Sequence, residues 1–277
     1  MAGSETWARR RTALAEDGVV VLPALLDDAW CARLRAAIDR CRRAPGPHYG
    51  VLSPPGRPRV DSDLFRWADD PDLGEVTHRS PLVDAAATLL GTDAVVLVED
   101  QWFASEPGPA TASPWHQDEP YYRLDRPFLT IWVTLDDVDI GGSLRVVPRS
   151  HLGATFAMVE FSATSVTIDA DADDPAGRRV PDIGADPDGH GVLAWPLRAG
   201  DAIALDSRTL HATGSAALPG PFRRLSTRWA APATCYRHRD HGAAAFWDML
   251  PHGLHDGDLI AGDVFPLVGR GTSSVPT

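Results

Sequence analysis

Two histidines and one aspartate are the residues of this sequence whose types and spacing could bind a metal. His116 and Asp118 are two positions apart, and His211 lies far downstream. In an extended segment, side chains at i and i+2 point to the same face, so one imidazole and one carboxylate would converge while Gln117 faces away. A third ligand from a distant strand would complete the two-histidine, one-carboxylate set that selects non-heme Fe(II) and leaves coordination positions open. His211 is the candidate for that ligand.

The pair His116-x-Asp118 is a weak indication on its own. Three-residue patterns recur by chance, and an interior histidine is more often hydrogen-bonded structure than a metal ligand. The elements that would have to position these side chains therefore carry part of the argument.

Two helices are predicted in the N-terminal part of the chain. Asp27 and Asp28 can cap the first, and its apolar positions recur at helical spacing. These positions are Trp30, Leu34, Ile38 and Cys41. Ser80 as cap, Pro81 at the first position and Gly91 just past the end indicate the second helix.

From residue 94 onward, short β-branched and aromatic runs alternate with turn residues rich in Gly, Pro and Asp. The predicted strands are 94–103, 128–135, 144–147, 192–195, 201–205 and 225–230. A parallel α/β fold would need helices between these strands, so the pattern favours a mainly β chain with flanking helices, a double-stranded β-helix (jelly roll, cupin-like). We expect a single domain over 1–277, with a helical part at about 1–93 and a jelly-roll core at about 94–235. The acidic stretch 161–191 is predicted to be a long loop, with a lid as one interpretation.

Composition restricts the partners. The net charge of −12 argues against nucleic acid, because that binding draws most of its affinity from cationic contacts to phosphate. No apolar run is long enough to span a bilayer, so we expect a cytoplasmic protein that does not bind membranes. The three cysteines are an odd number without a CxxC pair, which favours structural thiols. The chain has no lysine, so a carboxylate anchor has to be arginine. Nothing in the sequence indicates the oligomeric state.

Four blocks of sequence resemble one enzyme family. They are EDGVVVLP at 16–23; DQWF at 100–103 followed by WHQD at 115–118; WVTLDDVD at 132–139 followed by GSLRVVPRSH at 142–151; and AGD at 199–201, His211 and RRLSTRW at 223–229. In order and spacing the blocks resemble the phytanoyl-CoA dioxygenase family of iron- and 2-oxoglutarate-dependent oxygenases over most of the chain.

The resemblance implies a cofactor set and roles for particular residues. Fe(II) would be held by His116, Asp118 and His211, with 2-oxoglutarate and O2 as co-substrates. Alcohol, succinate and carbon dioxide would be the products. Halogenases that resemble this family lack the carboxylate ligand, so Asp118 favours hydroxylation or a related oxidation.

The resemblance also implies an arginine for the distal carboxylate of 2-oxoglutarate, because guanidinium offers two parallel hydrogen bonds. Arg223 and Arg224 are the candidates. The stretch between this arginine pair and Ser226 is one residue shorter than in the Arg-Arg-Ala-Leu-Ser form common in the family, which leaves open which arginine occupies the position. By alternation Arg224, Ser226 and Arg228 share one face, and we rank Arg224 slightly above Arg223. Gln101 and Trp132 fall on strands that the resemblance places along the cavity wall. Each could contact the co-substrate or the substrate, or could simply be part of the core.

We therefore expect an Fe(II)- and 2-oxoglutarate-dependent dioxygenase that hydroxylates an unactivated C–H bond of a small organic metabolite in specialised biosynthesis. The alternatives are desaturation, epimerisation or cyclisation at the same iron site. A non-catalytic jelly roll, or a cupin-like enzyme with zinc or manganese, is a further alternative. The family name does not identify the substrate, because one fold hosts many functions.

Overall fold

The computed structural model describes residues 2–159, 178–239, 247 and 250–269. The helices are α1 (Ala2–Asp17), α2 (Asp28–Arg43), α3 (Pro71–Arg79) and α4 (Pro81–Leu90). The strands are β1 (Val19–Leu22), β2 (Gly50–Val51), β3 (Val60–Leu64), β4 (Ala94–Ser105), β5 (Leu129–Thr134), β6 (Leu144–Val146), β7 (Leu193–Ala194), β8 (Ala202–Asp206), β9 (His211–Thr213), β10 (Phe222–Ala230) and β11 (Leu267–Gly269).

The strands form two antiparallel sheets. The large sheet has the order β1-β8-β5-β10-β4-β3-β2, with β11 paired to β4, and the small sheet has the order β7-β6-β9. The predicted mainly β class with flanking helices is confirmed. β10 lies between β4 and β5, so Ser226 is opposite Gln101 on one side and Trp132 on the other. These three neighbouring strands form the floor on which the site is built.

Alternation along β5 separates the two faces of the large sheet. Leu129, Ile131 and Val133 pack in the core beneath the helices, while Trp132 packs in a second core with residues of the small sheet. Successive side chains of a strand point to opposite faces, so Thr130 is directed to the same side as Trp132. On β10 the same rule assigns Leu225 to the helix side, and this residue is fully buried.

The two predicted helices are confirmed together with their caps. The Asp27 carboxylate accepts a hydrogen bond from the Trp30 backbone N–H at 2.9 Å. Ser80 caps α4 through the N–H of Leu82, and Gly91 ends the helix at φ +73°. A glycine is favoured there because the left-handed conformation has no Cβ penalty. Both helices cover the large sheet on the face away from the small sheet.

The large sheet takes strands from outside 94–235: β1, β2 and β3 precede this segment and β11 follows it. The single-domain boundary stays a prediction.

The predicted loop at 161–191 is described only from residue 178, and 160–177 lie outside the described residues. The cysteines are free thiols, with Cys31 and Cys41 buried in α2. Among the described helices, none is long and apolar enough to cross a membrane.

Gly18 connects α1 to β1 at a position that excludes a side chain. It has φ +74°, and an added Cβ would overlap the side chains of His151 and Thr209. We predict that Gly18→Ala lowers the free energy of unfolding by about 2–4 kcal/mol, since left-handed strain costs about 1–2 and overpacking about 1–3 kcal/mol. Gly56→Ala is the matched control, because Gly56 has φ +80° with open space around it. Equal losses in denaturant unfolding would contradict the predicted overlap.

Asp100 is a carboxyl group buried between the large sheet and the helices. Burial raises the pKa of Asp100 to about 7. Between about pH 4 and pH 7 the folded chain therefore holds a proton that the unfolded chain releases, and stability falls as the pH rises through this window. We predict that Asp100→Asn removes part of this fall, measured as the melting temperature from pH 4 to pH 8. Asp93→Asn, at an exposed position, is the control, and an unchanged pH profile in Asp100→Asn would contradict the prediction.

Candidate metal and co-substrate site

Three buried side chains converge at one end of the cavity between the sheets. The Asp118 Oδ1 atom lies 3.6 Å from the Nε2 of His116 and 3.7 Å from the Nε2 of His211. One ligand atom from each residue can be chosen so that all lie within 4.8 Å of one another. The sequence prediction that these residues share a site agrees with this arrangement.

The backbone brings the two histidines together directly. His116 and His211 form an isolated antiparallel bridge, with N–H to O distances of 3.0 and 2.9 Å. The prediction from alternation required an extended segment at 116–118, but this segment is not a continuous strand. Asp118 has φ −75° and ψ −35° and begins a turn of 3-10 helix, because its carbonyl accepts from Tyr121. Gln117 does face away, and its amide donates to the carbonyls of Ala154 and Arg208.

Backbone carbonyls orient both imidazole rings. The Nδ1 of His116 lies 2.9 Å from the Pro114 carbonyl oxygen, and the Nδ1 of His211 lies 2.9 Å from that of Thr209. Each Nδ1 therefore carries the proton, and each Nε2 presents a lone pair, as in metal-bound histidines. Burial, with a smaller effect of His116, lowers the pKa of His211 to about 4. A neutral imidazole is the form that binds a metal.

Asp118 is a buried carboxylate held in its charged form. Burial alone would raise its pKa, but Arg228 and the two histidines outweigh burial and hold the pKa of Asp118 well below its usual range. Its Oδ2 atom accepts a hydrogen bond from the Thr130 hydroxyl at 2.6 Å. The site therefore combines one anionic oxygen with two imidazole nitrogens, the donor set that suits Fe(II).

A cavity of about 290 Å³ opens from this cluster. Its wall is mainly apolar and aromatic, and it takes residues from both sheets and from the loop before His116. The apolar wall includes Leu52, Val60, Leu64, Phe103, Trp132, Leu144 and Leu205. Such a cavity with a few convergent polar groups is typical of a small-molecule site.

The two candidate arginines lie on opposite sides of the large sheet. Arg224 lines the cavity and is buried, and its guanidinium donates to the Ser105 hydroxyl at 2.8 Å. Its guanidinium carbon also lies 5.1 Å from the ring centres of Phe103 and Phe222. Arg223 is on the helix side, where it pairs with Asp136 at 3.0 Å and Asp39 at 3.2 Å.

Arg224 is a buried cation without a carboxylate partner among the described residues. Burial lowers the pKa of Arg224 to about 10. A buried charge is costly unless it is paired, so this guanidinium is suited to an anionic ligand that enters the cavity. Arg223 already has two carboxylates. The residues present therefore fit a dicarboxylate with one end at Arg224.

The two predicted wall residues both line the cavity. The Gln101 amide donates to the Ser62 hydroxyl at 2.9 Å, and its carbonyl accepts from Arg228 at 3.2 Å. The Trp132 ring packs against Phe222, with ring centres 6.1 Å apart. Their contact with a co-substrate stays a prediction.

Three residues around the metal cluster had no role predicted from the sequence. These are Thr130, Arg228 and Glu99. Arg228 pairs with Glu99 at 2.6 Å and lies 3.5 Å from the Oδ2 of Asp118. Burial raises the pKa of Glu99 to about 7, against the opposing effects of Arg228 and Tyr122. The one sequence signal that could have indicated a role for Arg228 was alternation, which placed Arg228 on the same face as Arg224.

Comparison with solved structures supports the fold. The epimerase SnoN, solved with Fe3+, alpha ketoglutarate and nogalamycin RO, is 22% identical with a TM-score of 0.73, covering 95% of this chain and 99% of SnoN. The carbocyclase SnoK from nogalamycin biosynthesis is 21% identical with a TM-score of 0.72, covering 94% of this chain and 95% of SnoK. EctD from S. alaskensis with bound Fe is 21% identical with a TM-score of 0.63, covering 83% and 78%.

SnoN was solved with Fe3+ and alpha ketoglutarate (2-oxoglutarate), and the described residues of this chain contain a His-Asp-His site with which the predicted cofactors agree. A search of curated proteins gives no match. The family model described as phytanoyl-CoA dioxygenase (PhyH) matches residues 14–224, which is most of the chain. The resemblance inferred from the four sequence blocks is thereby confirmed, and the chain belongs to the phytanoyl-CoA dioxygenase (PhyH) family.

Proposed function

We propose that this protein is an Fe(II)- and 2-oxoglutarate-dependent dioxygenase that hydroxylates a small organic metabolite. The observation that carries the proposal is the pair of features in one cavity: a buried His-Asp-His cluster and, on the neighbouring floor, a buried arginine without a carboxylate partner among the described residues. Either feature alone would fit several functions. Together they provide a metal site and an anion site for one chelating oxoacid.

The metal would be held by the Nε2 atoms of His116 and His211 and by Oδ1 of Asp118. The Arg224 guanidinium would bind the distal carboxylate of 2-oxoglutarate, with the Ser105 hydroxyl fixing its orientation. When bound, iron and 2-oxoglutarate supply the oxidising chemistry, and O2 is the oxidant. The apolar wall would exclude bulk water and orient the C–H bond of the substrate toward the metal end of the cavity.

The substrate that fits this cavity is small and largely apolar. Of the described lining residues, the arginines are Arg224 and Arg228, and Arg228 is paired with Glu99. A long phosphate-bearing carrier such as coenzyme A would have no further described cation in the cavity. We therefore propose a metabolite of specialised biosynthesis, an assignment that draws support from SnoN and SnoK, the latter described as an enzyme of nogalamycin biosynthesis.

Epimerisation or ring closure is the second candidate, since SnoN is described as an epimerase and SnoK as a carbocyclase. The same metal site would serve all three reactions, because the outcome depends on where the substrate radical goes next. With a substrate in hand, the product mass separates them. Hydroxylation adds one oxygen atom, ring closure removes two hydrogens, and epimerisation leaves the mass unchanged.

The experiment that tests the proposed function requires no substrate. Protein loaded anaerobically with Fe(II) is mixed with 2-oxoglutarate and O2, and succinate is measured over time. Slow succinate formation that requires both Fe(II) and 2-oxoglutarate would support the proposal. If Fe(II) binds but 2-oxoglutarate is neither bound nor consumed, a cupin-like metalloprotein or a binding module becomes the better account.

A further inference from the structure

The two carboxylate oxygens of Asp118 have different surroundings. Oδ1 lies among the histidine nitrogens, at 3.6 Å from His116 and 3.7 Å from His211. Oδ2 is turned to the floor of the cavity, where it accepts from the Thr130 hydroxyl at 2.6 Å and lies 3.5 Å from the Nε of Arg228. The orientation of the carboxylate therefore depends on contacts made by its outer oxygen.

These outer contacts are themselves held in place. Thr130 is 2% exposed and lies on β5, so its position is set by the central strands of the large sheet. Arg228 is opposite Thr130 in the β10–β5 register. Its guanidinium is fixed on the other side by Glu99 at 2.6 Å and Gln101 at 3.2 Å. The support of Asp118 thus comes from β4, β5 and β10 together.

Building on the proposed function, we infer that Thr130 and Arg228 are positioning residues that restrict Asp118 to binding the metal through Oδ1 alone. A carboxylate free to rotate can bind a metal through both oxygens, which occupies one more coordination position. With Oδ2 held by Thr130 and Arg228, that position stays open for the chelating oxoacid or O2. Partners that orient metal ligands commonly change metal affinity by about 10- to 100-fold when they are removed.

Thr130→Val tests this inference with little change of shape, because it replaces the hydroxyl by a methyl group. We expect the affinity for Fe(II) alone, measured anaerobically by competition with a chelator, to fall by about 10- to 100-fold. We also expect the visible absorption band of the ternary complex with Fe(II) and 2-oxoglutarate to shift in wavelength. Thr130→Ser keeps a hydroxyl at this position and should restore both properties toward the wild type.

Thr77→Val is the matched control. Thr77 is a fully buried threonine of α3, and its hydroxyl donates to the carbonyls of Leu73 and Gly74. Thr77→Val removes the same hydroxyl from a residue that does not line the cavity, so it reports the general effects of removing a buried hydroxyl. Circular dichroism and the melting temperature of each variant establish that the fold is retained.

Arg228 is tested separately, since its removal alone would leave Glu99 buried without its cation. The double variant Glu99→Gln, Arg228→Gln removes both charges, and Glu99→Gln alone is its reference. We expect the double variant, and not the reference, to show the band shift.

The outcomes separate this inference from the proposed function. If the wild type binds Fe(II) and 2-oxoglutarate while folded Thr130→Val binds Fe(II) as tightly and absorbs at the same wavelength, the positioning role is wrong and the proposed function stands. If Thr130→Ser is as impaired as Thr130→Val, shape rather than the hydroxyl is responsible and the inference is also wrong. If the wild type binds no Fe(II), both proposals fail together.

Discussion

Asp118→Ala should abolish Fe(II) binding and 2-oxoglutarate turnover while the chain stays folded. The substitution removes the anionic member of the cluster and leaves two imidazoles, so we expect Fe(II) affinity to fall by more than the roughly 100-fold loss that follows removal of an orienting partner. Calorimetric titration with Fe(II) under anaerobic conditions measures the affinity. Succinate formation measures the turnover.

Glu119→Gln is the control for Asp118→Ala. It neutralises the next carboxylate in the chain, which accepts a hydrogen bond from Thr155 and is not part of the cluster. Its Fe(II) affinity should match that of the wild type. Retained stoichiometric Fe(II) binding and turnover in Asp118→Ala would contradict the assignment of the ligands.

Arg224→Met should raise the dissociation constant for 2-oxoglutarate by at least about 30-fold and leave Fe(II) binding intact. Loss of one partner of a buried, hydrogen-bonded charge pair costs about 2–5 kcal/mol, and every 1.4 kcal/mol is about tenfold. The protein without ligand should be as stable as the wild type or more stable, because methionine removes a buried cation that has no carboxylate partner among the described residues. Titration of the Fe(II) protein with 2-oxoglutarate and thermal unfolding measure the two effects.

Arg223→Met provides the opposite pattern and serves as the control. It breaks the ion pair with Asp136, which follows β5, and the ion pair with Asp39 of α2, so the melting temperature should fall. Its 2-oxoglutarate affinity should not change. If Arg223→Met loses 2-oxoglutarate and Arg224→Met does not, the anchor has been assigned to the wrong arginine.

Local signals in the sequence were sufficient for the elements that carry their own boundaries. α4 was predicted because Ser80, Pro81 and Gly91 define its two ends within the segment itself. β5 was predicted because residues 128–135 form a β-branched and aromatic run that lies between turn residues. These features depend on capping residues and on the pattern of residue types, both of which lie within the segment itself.

β3 shows where such signals end. Val60–Leu64 contains Asp61, Ser62 and Asp63, which have low strand preference, so the sequence pattern gave no strand. The Asp61 carboxylate is paired with Arg42 of α2 at 2.7 Å, a contact between separate elements. Pairings of this kind appear only when the chain is folded.

The ligands of the metal cluster could be predicted from the sequence, whereas the residues that support Asp118 could not. His116 and Asp118 are close in sequence, and the resemblance to a known family supplied His211. The support by Thr130 and Arg228 depends on β10 lying between β4 and β5 and on its register with both. Alternation gives the face of a residue but not the strand beside it, so the sequence indicated that Arg228 shares a face with Arg224 and could not indicate its contact with Asp118.

Anaerobic titration of the purified apoprotein with Fe(II) and then 2-oxoglutarate tests the central claim most directly. The account predicts a weak visible absorption band that requires both components and is absent in His116→Ala and Asp118→Ala. In Arg224→Met the band should be much weaker at 2-oxoglutarate concentrations that just saturate the wild type. Stoichiometric Fe(II) binding by the wild type with no band at any 2-oxoglutarate concentration would contradict the account.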